Sequence, residues 1–289
     1  MVVGVALLLA AASAHAQGSD TGPACWTQAD LAVTPSERGV QRSVLRAFVA
    51  PPRRAPVAYS AVPSGERQAI RRVKLPPGLK LVALTFDLCE QGDEVSGYQG
   101  AIVDYLRRNR IKATFFAGGK WLLTHPERAQ QLMADPLFAI GNHSWQHRNL
   151  RLLAGPELTS EIDNAQRAYE EVRGRLAARN CIGPDGRTPA HSAAPQRLSL
   201  FRFPFGACTP SALQEVGRQG LRAIQWDVSA GDATATAEAM LPGVVASVRP
   251  GSIVLFHANG RGRHTEQALP AIIEGLRRRG YEFERLPGA

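Results

Sequence analysis

Three features are missing from the 289-residue sequence, and each absence narrows the class of protein. The apolar run at residues 2–12 is too short to cross a membrane, because a transmembrane helix needs about 20 apolar residues. No internal repeat of the solenoid kind is present, and no recognisable nucleic-acid-binding motif accompanies the basic residues. The sequence therefore argues against a solenoid protein and against a nucleic-acid-binding module.

The first 16 residues have the pattern of a secretory signal peptide. Residues 2–12 form the apolar segment, and Ala14-His15-Ala16 has the A-x-A form of a signal-peptidase site just before Gln17. No Lys or Arg precedes the apolar segment, which is compatible with a truncated start or with a weak leader. The sequence predicts an exported protein, either periplasmic or secreted.

Cysteine is scarce, with only four residues: Cys25, Cys89, Cys181 and Cys208. An oxidising compartment would permit two disulfides, and four cysteines allow three pairings. Cys89 and Cys208 each follow an expected strand end, so a bridge between them is plausible and would leave Cys25 with Cys181. A metal-binding role for Cys89 is the alternative.

Acidic residues are in deficit, with 25 Asp and Glu against 34 Lys and Arg, a formal net charge of +9. This excess would suit an acidic polymer or a membrane surface. Much of it is scattered, and residues 277–279 place three arginines near the end of an expected helix, where cations favourably meet the helix dipole. A solvated basic face accounts for the charge, and export argues against a nucleic-acid partner.

The composition allows one α/β domain with an N-terminal extension, because 44% hydrophobic and 20% charged residues suffice for one substantial core. Residues 17–77 are irregular and rich in Pro, as is typical of a linker or a wrapping arm. From Leu81 onwards, short β-rich runs alternate with amphipathic segments. This alternation predicts a parallel sheet with crossover helices in a domain at 78–289.

The expected strands are residues 81–86, 113–117, 138–141, 200–203, 223–226, 252–256 and 281–285. Helical spacing marks a helix around residues 98–106 and another around 268–276, and Pro126, Pro156 and Pro210 open three more. Residues 174–199 form an irregular insertion.

Polar residues follow the expected strands at five places. They are Asp87, His143, Arg202, Asp232 and His257. In barrels built from βα units the loops after the strands form the functional face, so these side chains should converge. His147 lies four residues after His143, and this spacing would present two imidazoles from one side of a helical turn as metal ligands.

The chain resembles the polysaccharide deacetylases of carbohydrate esterase family 4 over roughly residues 81–286. Five motifs carry the resemblance, in the family's order: Thr85-Phe86-Asp87-Leu88, His143-Ser144-Trp145-Gln146-His147, Arg202-Phe203-Pro204-Phe205, Trp226-Asp227-Val228-Ser229-Ala230-Gly231-Asp232 and Leu255-Phe256-His257. The resemblance implies a distorted (β/α) barrel and metal-assisted hydrolysis of an N-acetyl amide. It implies a divalent cation, Zn²⁺ first and Co²⁺ or another divalent ion as alternatives, held by His143 and His147.

The same resemblance implies the catalytic roles. Asp87 would be the general base, and Arg202 would keep that carboxylate ionised and oriented. His257 would protonate the departing amine, and Asp232 would raise the pKa of that imidazole.

Four residues are expected on the substrate side. The backbone N–H of Phe205 would meet the oxyanion. Leu255 would line the pocket for the acetyl methyl group, and Pro204 and Trp226 are assigned to the same binding surface.

Two departures from the family pattern affect the site. Leu88 stands where the family has an Asp that ligates the metal, and catalytic zinc normally has three protein ligands. Asp87 itself is the first candidate for the third ligand and Glu90 the second; Asp93, or water alone beside the two imidazoles, completes the alternatives. In the fourth motif Ser229 replaces an Asp and Ala233 replaces a Trp, so a wall for stacking the sugar is missing.

The sequence predicts a metal-dependent hydrolase that removes N-acetyl groups from amino sugars of a cell-wall or extracellular polysaccharide, peptidoglycan or chitin-like. One alternative is a non-catalytic glycan-binding protein on the same fold, which Leu88 suggests. Another is a deacetylase or amidohydrolase for a different acyl substrate, which Ser229 and Ala233 suggest.

Overall fold

A curled sheet of parallel strands forms the centre of the computed structural model, which describes residues 23–42, 49–53, 58–184 and 186–286. The strands are β1 Gln41–Arg42, β2 Leu81–Leu88, β3 Glu94–Val95, β4 Ala113–Ala117, β5 Phe138–Asn142, β6 Leu200–Phe201, β7 Arg222–Ala223, β8 Val228–Ser229, β9 Ile253–His257 and β10 Glu282–Phe283. Eight of them form the sheet, in the order β7-β6-β5-β4-β2-β9-β8 with β10 beside β2, and every pairing in it is parallel.

Helices connect the strands in the described part of the chain. The α-helices are α1 Gln28–Leu31, α2 Gly100–Arg108, α3 Gly119–Thr124, α4 Pro126–Met133, α5 Gly155–Ala178, α6 Pro210–Arg218, α7 Ala237–Ser247 and α8 Thr265–Arg278. Short 3₁₀ helices span Pro35–Glu37, Ser64–Glu66, Leu150–Leu152, Ala190–Ala193 and Pro204–Gly206. The distorted (β/α) barrel and the single domain predicted from the sequence are confirmed.

The central strands are mostly apolar because helices cover one side of the sheet and the barrel interior covers the other. Every residue of β4 and β5 is buried. The ring of Phe86 stacks on Phe115 and on Phe256, each with centroids 5.3 Å apart, and Phe115 meets Phe138 edge-on at 5.2 Å. This aromatic cluster fixes β2, β4, β5 and β9 relative to one another.

The segment before β2 links two sides of the sheet that do not pair directly. Ile70 forms a parallel bridge with Ile224, next to β7, and Arg72 forms an antiparallel bridge with Ser252, next to β9. The described part of residues 17–77 therefore packs on the barrel as a wrapping arm. The proposed boundary at residue 77 stays a prediction.

Arg128 makes several of the hydrogen bonds that hold the start of this arm. Arg128 on α4 donates hydrogen bonds to the backbone oxygens of Asp30 and Ala32, at 2.9 and 2.7 Å, and to the carboxylate of Glu37 at 2.8 Å. Beyond it, β1 pairs antiparallel with β3, so the arm reaches the loop that follows β2.

Of the two disulfides considered above, only the one between Cys25 and Cys181 is present. Cys25 and Cys181 form a disulfide with their Cα atoms 5.0 Å apart, whereas Cys89 and Cys208 are free. The suggested Cys89–Cys208 bridge is therefore wrong. Cys89 is buried, and its Sγ accepts a hydrogen bond from Asn259 Nδ2 at 3.1 Å.

Several short elements were not predicted because they leave little periodic signal. The two-residue strands β1, β3 and β8 are too short to show alternation, and α7 contains Pro242, which disfavours a helix interior. The predicted signal peptide at residues 1–16 lies outside the described residues. Within the described ranges, no helix combines the length and the apolar character needed to span a bilayer.

Candidate active site

The carboxyl end of the sheet gathers the polar residues that the sequence placed after its strands. Asp87 at the end of β2 is the direct ladder neighbour of His257 at the end of β9. His143 follows β5, and Arg202 follows β6, where its N–H donates to the Asn142 carbonyl at 2.8 Å. Parallel strands thus bring side chains that are far apart in the sequence to one edge.

A buried ion pair lies at the middle of this edge. Arg202 Nη1 donates to Asp87 Oδ1 at 2.8 Å and to Thr85 Oγ1 at 2.9 Å. The guanidinium is fully buried and lies over the ring of Phe116, with Cζ 4.0 Å from the centroid. Arg202 therefore orients the Asp87 side chain and provides the opposite charge in this buried place.

His143 is held in one tautomer. Its Nδ1 lies 2.9 Å from the backbone oxygen of Arg202, and since that oxygen can only accept, Nδ1 carries the proton. Nε2 is buried, makes no hydrogen bond and lies 3.4 Å from Asp87 Oδ2. Burial lowers the pKa of His143, so the ring is neutral and offers a lone pair.

His147 does not share a helical turn with His143, and that expectation is wrong. Residues 143–149 form a loop in which Ser144 and His147 adopt positive φ values of 65° and 58°. The loop is fixed locally, because Asn142 Oδ1 accepts from the Ser144 N–H and Ser144 Oγ accepts from the His147 N–H.

The two imidazoles nevertheless meet. Their ring centroids are 4.9 Å apart, and His147 also packs edge-on against Phe205 at 4.5 Å. His147 Nδ1 is buried without a hydrogen-bond partner, and burial lowers the pKa of His147 to about 2.

Cys89 completes a three-residue group with these imidazoles. One ligand atom from each of Cys89, His143 and His147 lies within 4.8 Å of the other two. Two neutral imidazoles with orphaned nitrogens and one sulfur are a donor set that suits Zn²⁺, so these residues fit the divalent metal that the family resemblance implies. Without an ion, burial raises the pKa of the Cys89 thiol to about 12.

The carboxylates considered as third ligands are placed differently. Asp87 lies outside that group, although its Oδ2 is close to His143. Glu90 Oε2 accepts hydrogen bonds from the Ser96 N–H at 3.0 Å and from Thr124 Oγ1 at 2.9 Å, and burial raises the pKa of Glu90 to about 6. Asp93 is exposed.

A second acid–imidazole pair lies beside Asp87. His257 Nδ1 is 2.9 Å from Asp232 Oδ1, while Asp232 Oδ2 accepts from the His257 N–H at 2.6 Å and from Thr265 Oγ1 at 2.7 Å. Burial alone would lower the pKa of His257, but the hydrogen bond and charge of Asp232, with the charge of Asp87, raise it above its ordinary value. The imidazolium form is therefore favoured.

The four residues expected on the substrate side come from three places: Pro204 and Phe205 follow β6, Trp226 follows β7, and Leu255 lies on β9. Phe205 has a positive φ of 59° and a ring that is 61% exposed, whereas Pro204 is buried. A Cβ on Gly206 would come within 2.9 Å of the Trp226 ring, so only glycine lets the backbone approach that ring. Leu255 is buried on β9.

Sequence reasoning missed the residues that support the site. Asn259 donates to both the backbone oxygen and the sulfur of Cys89, and Thr265 holds Asp232. Lys120 is almost wholly buried and donates to the backbone oxygens of Gln91 and Glu94 at 2.6 and 2.7 Å, which fixes the loop after Cys89. No motif signals these positions, because each acts through a contact with a distant loop.

Known proteins are similar to this chain in sequence and in fold. Residues 74–194, which include the first two motifs, match the polysaccharide deacetylase family. The chitooligosaccharide deacetylase of Azorhizobium caulinodans is 30% identical over 200 residues, covering 65% of this chain and 85% of that protein. The peptidoglycan-N-acetylmuramic acid deacetylase of Bacillus subtilis is 25% identical over 211 residues, covering 72% and 70%.

One similar solved structure belongs to a variant of a pseudoenzyme. It is a variant, with restored enzymatic activity, of a pseudoenzyme of carbohydrate esterase family 4 from Bacillus anthracis. The two structures share 25% identity and a TM-score of 0.61, over 76% of this chain and 70% of that one. With 30% identity over most of the length of a named deacetylase, this chain belongs to the polysaccharide deacetylase family.

Proposed function

We propose that this protein is an exported, metal-dependent hydrolase that removes N-acetyl groups from amino sugars of a cell-wall or chitin-like polysaccharide. One observation carries the proposal: Asp87 and His257 are ladder neighbours at one sheet edge, and each has its own partner of opposite charge, Arg202 for Asp87 and Asp232 for His257. A base and an acid on the same edge are what amide hydrolysis requires. The relatives named as deacetylases of chitooligosaccharide and peptidoglycan support the substrate class.

His143 and His147 would hold the ion, since each has a buried ring nitrogen without a hydrogen-bond partner. When bound, a divalent ion such as Zn²⁺ would polarise the substrate carbonyl and make a water more acidic.

Asp87 would take the proton from the attacking water. Its Oδ1 is occupied by Arg202, which leaves Oδ2 as the atom directed toward His143 and the reacting centre. The backbone N–H of Phe205 would donate to the developing oxyanion, and its positive φ gives it an orientation that an extended strand would not.

His257 would then protonate the departing amine. Its Nδ1 donates to Asp232, so the proton to be transferred is the one on Nε2. Leu255, two residues before His257 on β9, would contact the acetyl methyl group.

We also propose that the protein works outside the cytoplasm, in the periplasm or after secretion. The Cys25–Cys181 disulfide is consistent with an oxidising compartment, as is the signal-peptide pattern.

Two observations favour a second candidate, a glycan-binding protein without turnover. Leu88 is fully buried in the core and cannot ligate a metal. A family pseudoenzyme is among the similar structures, although the structure described there is a variant with restored activity. A different acyl substrate is the remaining alternative, since Ser229 and Ala233 are exposed and small.

Metal content and acetate release should depend on the same imidazole. We expect about one divalent ion per chain by elemental analysis, and chelation should stop acetate release from acetylated chito-oligosaccharide until Zn²⁺ or Co²⁺ is restored. His143→Ala should lose metal and activity together, whereas His191→Ala, on the 3₁₀ helix Ala190–Ala193, should keep both. Normal turnover by His143→Ala would exclude this mechanism, and glycan affinity without metal or acetate would favour the binding protein.

Asp87→Asn should separate base catalysis from metal binding. The amide keeps the shape and can still accept from Arg202, but it cannot take a proton, so kcat should fall by roughly 10²- to 10⁴-fold with the metal retained. Asp104→Asn, at a partly exposed position on α2, is the matched control and should behave as wild type. Loss of the metal together with activity would make Asp87 a ligand instead.

The alkaline limb of the kcat–pH profile should report His257. A general acid works while protonated, so activity should decline as pH rises through the raised pKa of His257. Asp232→Asn removes the main influence that raises the pKa of His257. Burial and Arg202 still lower that pKa and only Asp87 raises it, so this limb should move to lower pH. An unchanged limb in Asp232→Asn would assign the proton to another group.

A further inference from the structure

We infer that Cys89 is the third protein ligand of the metal, supplying as a thiolate the donor that Leu88 cannot provide. This inference rests on the proposed function, because it concerns the same ion. It changes the donor set to one sulfur and two imidazole nitrogens, and it leaves Asp87 free to act as the base.

Strand geometry places the two neighbours on opposite sides. Side chains alternate along β2, so Asp87 and Leu88 face opposite ways, and just after the strand the sulfur of Cys89 lies near the imidazoles on the side of Asp87. Leu88 packs in the main hydrophobic cluster, whereas Asp87 and Cys89 both lie at the polar edge. Position 88 therefore faces the core, and the neighbouring residue that can offer a ligand atom to the ion is Cys89.

Competing donors are already engaged. Arg202 occupies one oxygen of Asp87, and Glu90 accepts hydrogen bonds from Ser96 and Thr124. Of the described residues, Cys89, His143 and His147 are the three whose ligand atoms converge. The orphaned nitrogens of both imidazoles point to the same occupant as the sulfur does.

The chemistry of this set favours Zn²⁺ or Co²⁺ over Mg²⁺ or Mn²⁺, since thiolate is a soft donor. One thiolate and two neutral imidazoles carry the same total charge as one carboxylate and two imidazoles, so the net charge of the donor set is unchanged. Asn259 Nδ2, 3.1 Å from the sulfur, would orient the thiolate and moderate its donation.

X-ray absorption on the zinc-loaded protein tests the assignment without relying on activity. Wild type should show a zinc–sulfur distance of about 2.3 Å, and the Co²⁺ form should show a sulfur-to-cobalt charge-transfer band. Cys89→Ser should lose both signals and weaken metal affinity by more than about 100-fold, beyond the loss typical of residues that only support a ligand. Cys89→Asp should bind metal through oxygen and regain acetate release, whereas Cys208→Ser, at the other free cysteine, should match wild type.

The outcomes separate the two proposals. A metal-loaded, active wild type whose shell contains only nitrogen and oxygen would overturn the role of Cys89 while the deacetylase stands. A wild type that takes up no metal and releases no acetate would overturn both.

We also infer, from a separate cavity, that the substrate carries a carboxylate close to the acetylated position. A cavity of about 520 Å³ adjoins His257 and is lined by Arg42, Arg261, Arg263 and Ala233, with no carboxylate among its described lining residues. Ala233 leaves this space open where a larger side chain would fill it.

The arginines reach the cavity from different elements. The pairing of β1 with β3 sets Arg42 opposite Glu94, so the wrapping arm delivers one of the guanidiniums. Arg261 is paired with Glu94, but Arg42 and Arg263 are exposed and can contact a ligand. Guanidinium groups suit planar carboxylates, which neutral chitin-like chains lack and which lactyl-bearing peptidoglycan sugars carry where no stem peptide is attached.

Matched substrates test this second inference. Acetylated glycan strands that bear lactyl carboxylates should have a higher kcat/KM than the same strands with those carboxylates amidated, and added salt should reduce the difference. Arg42→Gln and Arg263→Gln should each raise KM for the acidic strand roughly 10-fold and leave the amidated strand unchanged, with Arg108→Gln as the surface control. Equal kcat/KM for both strands would overturn the inference, and absence of acetate from either would instead reject the proposed deacetylase.

Discussion

The buried guanidinium of Arg202 joins groups from three strands, and much of the site depends on it. Its Nη1 holds Asp87 and Thr85 on β2, its backbone oxygen fixes the tautomer of His143 after β5, and its plane lies against Phe116 on β4. Such a charge is tolerated only while it is paired, since an uncompensated buried ion costs about 3–5 kcal/mol. One residue thus links the position of the Asp87 carboxyl group to the tautomer of His143.

Sequence periodicity was enough to locate the sheet and the edge that carries the chemistry. The strands around Asp87, His143 and His257 are long apolar runs, so their ends could be read directly. Local conformation could not be read in the same way. The His143–His147 spacing suits a helical turn, but the positive φ angles of Ser144 and His147 depend on hydrogen bonds from Asn142 and Ser144.

The roles of neighbouring residues were harder to assign because alternation has to be combined with packing. The sequence showed that Leu88 lacks a ligand atom but not which nearby donor faces the imidazoles. That depended on where the chain turns after β2, and distant residues control the turn: Lys120 from α3 and Asn259 after β9. The wrapping arm shows the same limit, since its bridges at Ile70 and Arg72 are single contacts without a periodic pattern.

The disulfide and the buried sulfur of Cys89 stand in opposite oxidation states within one fold. Cys25 and Cys181 are joined, while Cys89 keeps its thiol about 1% exposed beneath Asn259. Oxidants act on accessible sulfur atoms, so burial keeps the sulfur of Cys89 in its reduced form. The fold therefore places Cys25 and Cys181 where they can form the disulfide that attaches the arm, and it buries Cys89 at the polar edge of the sheet.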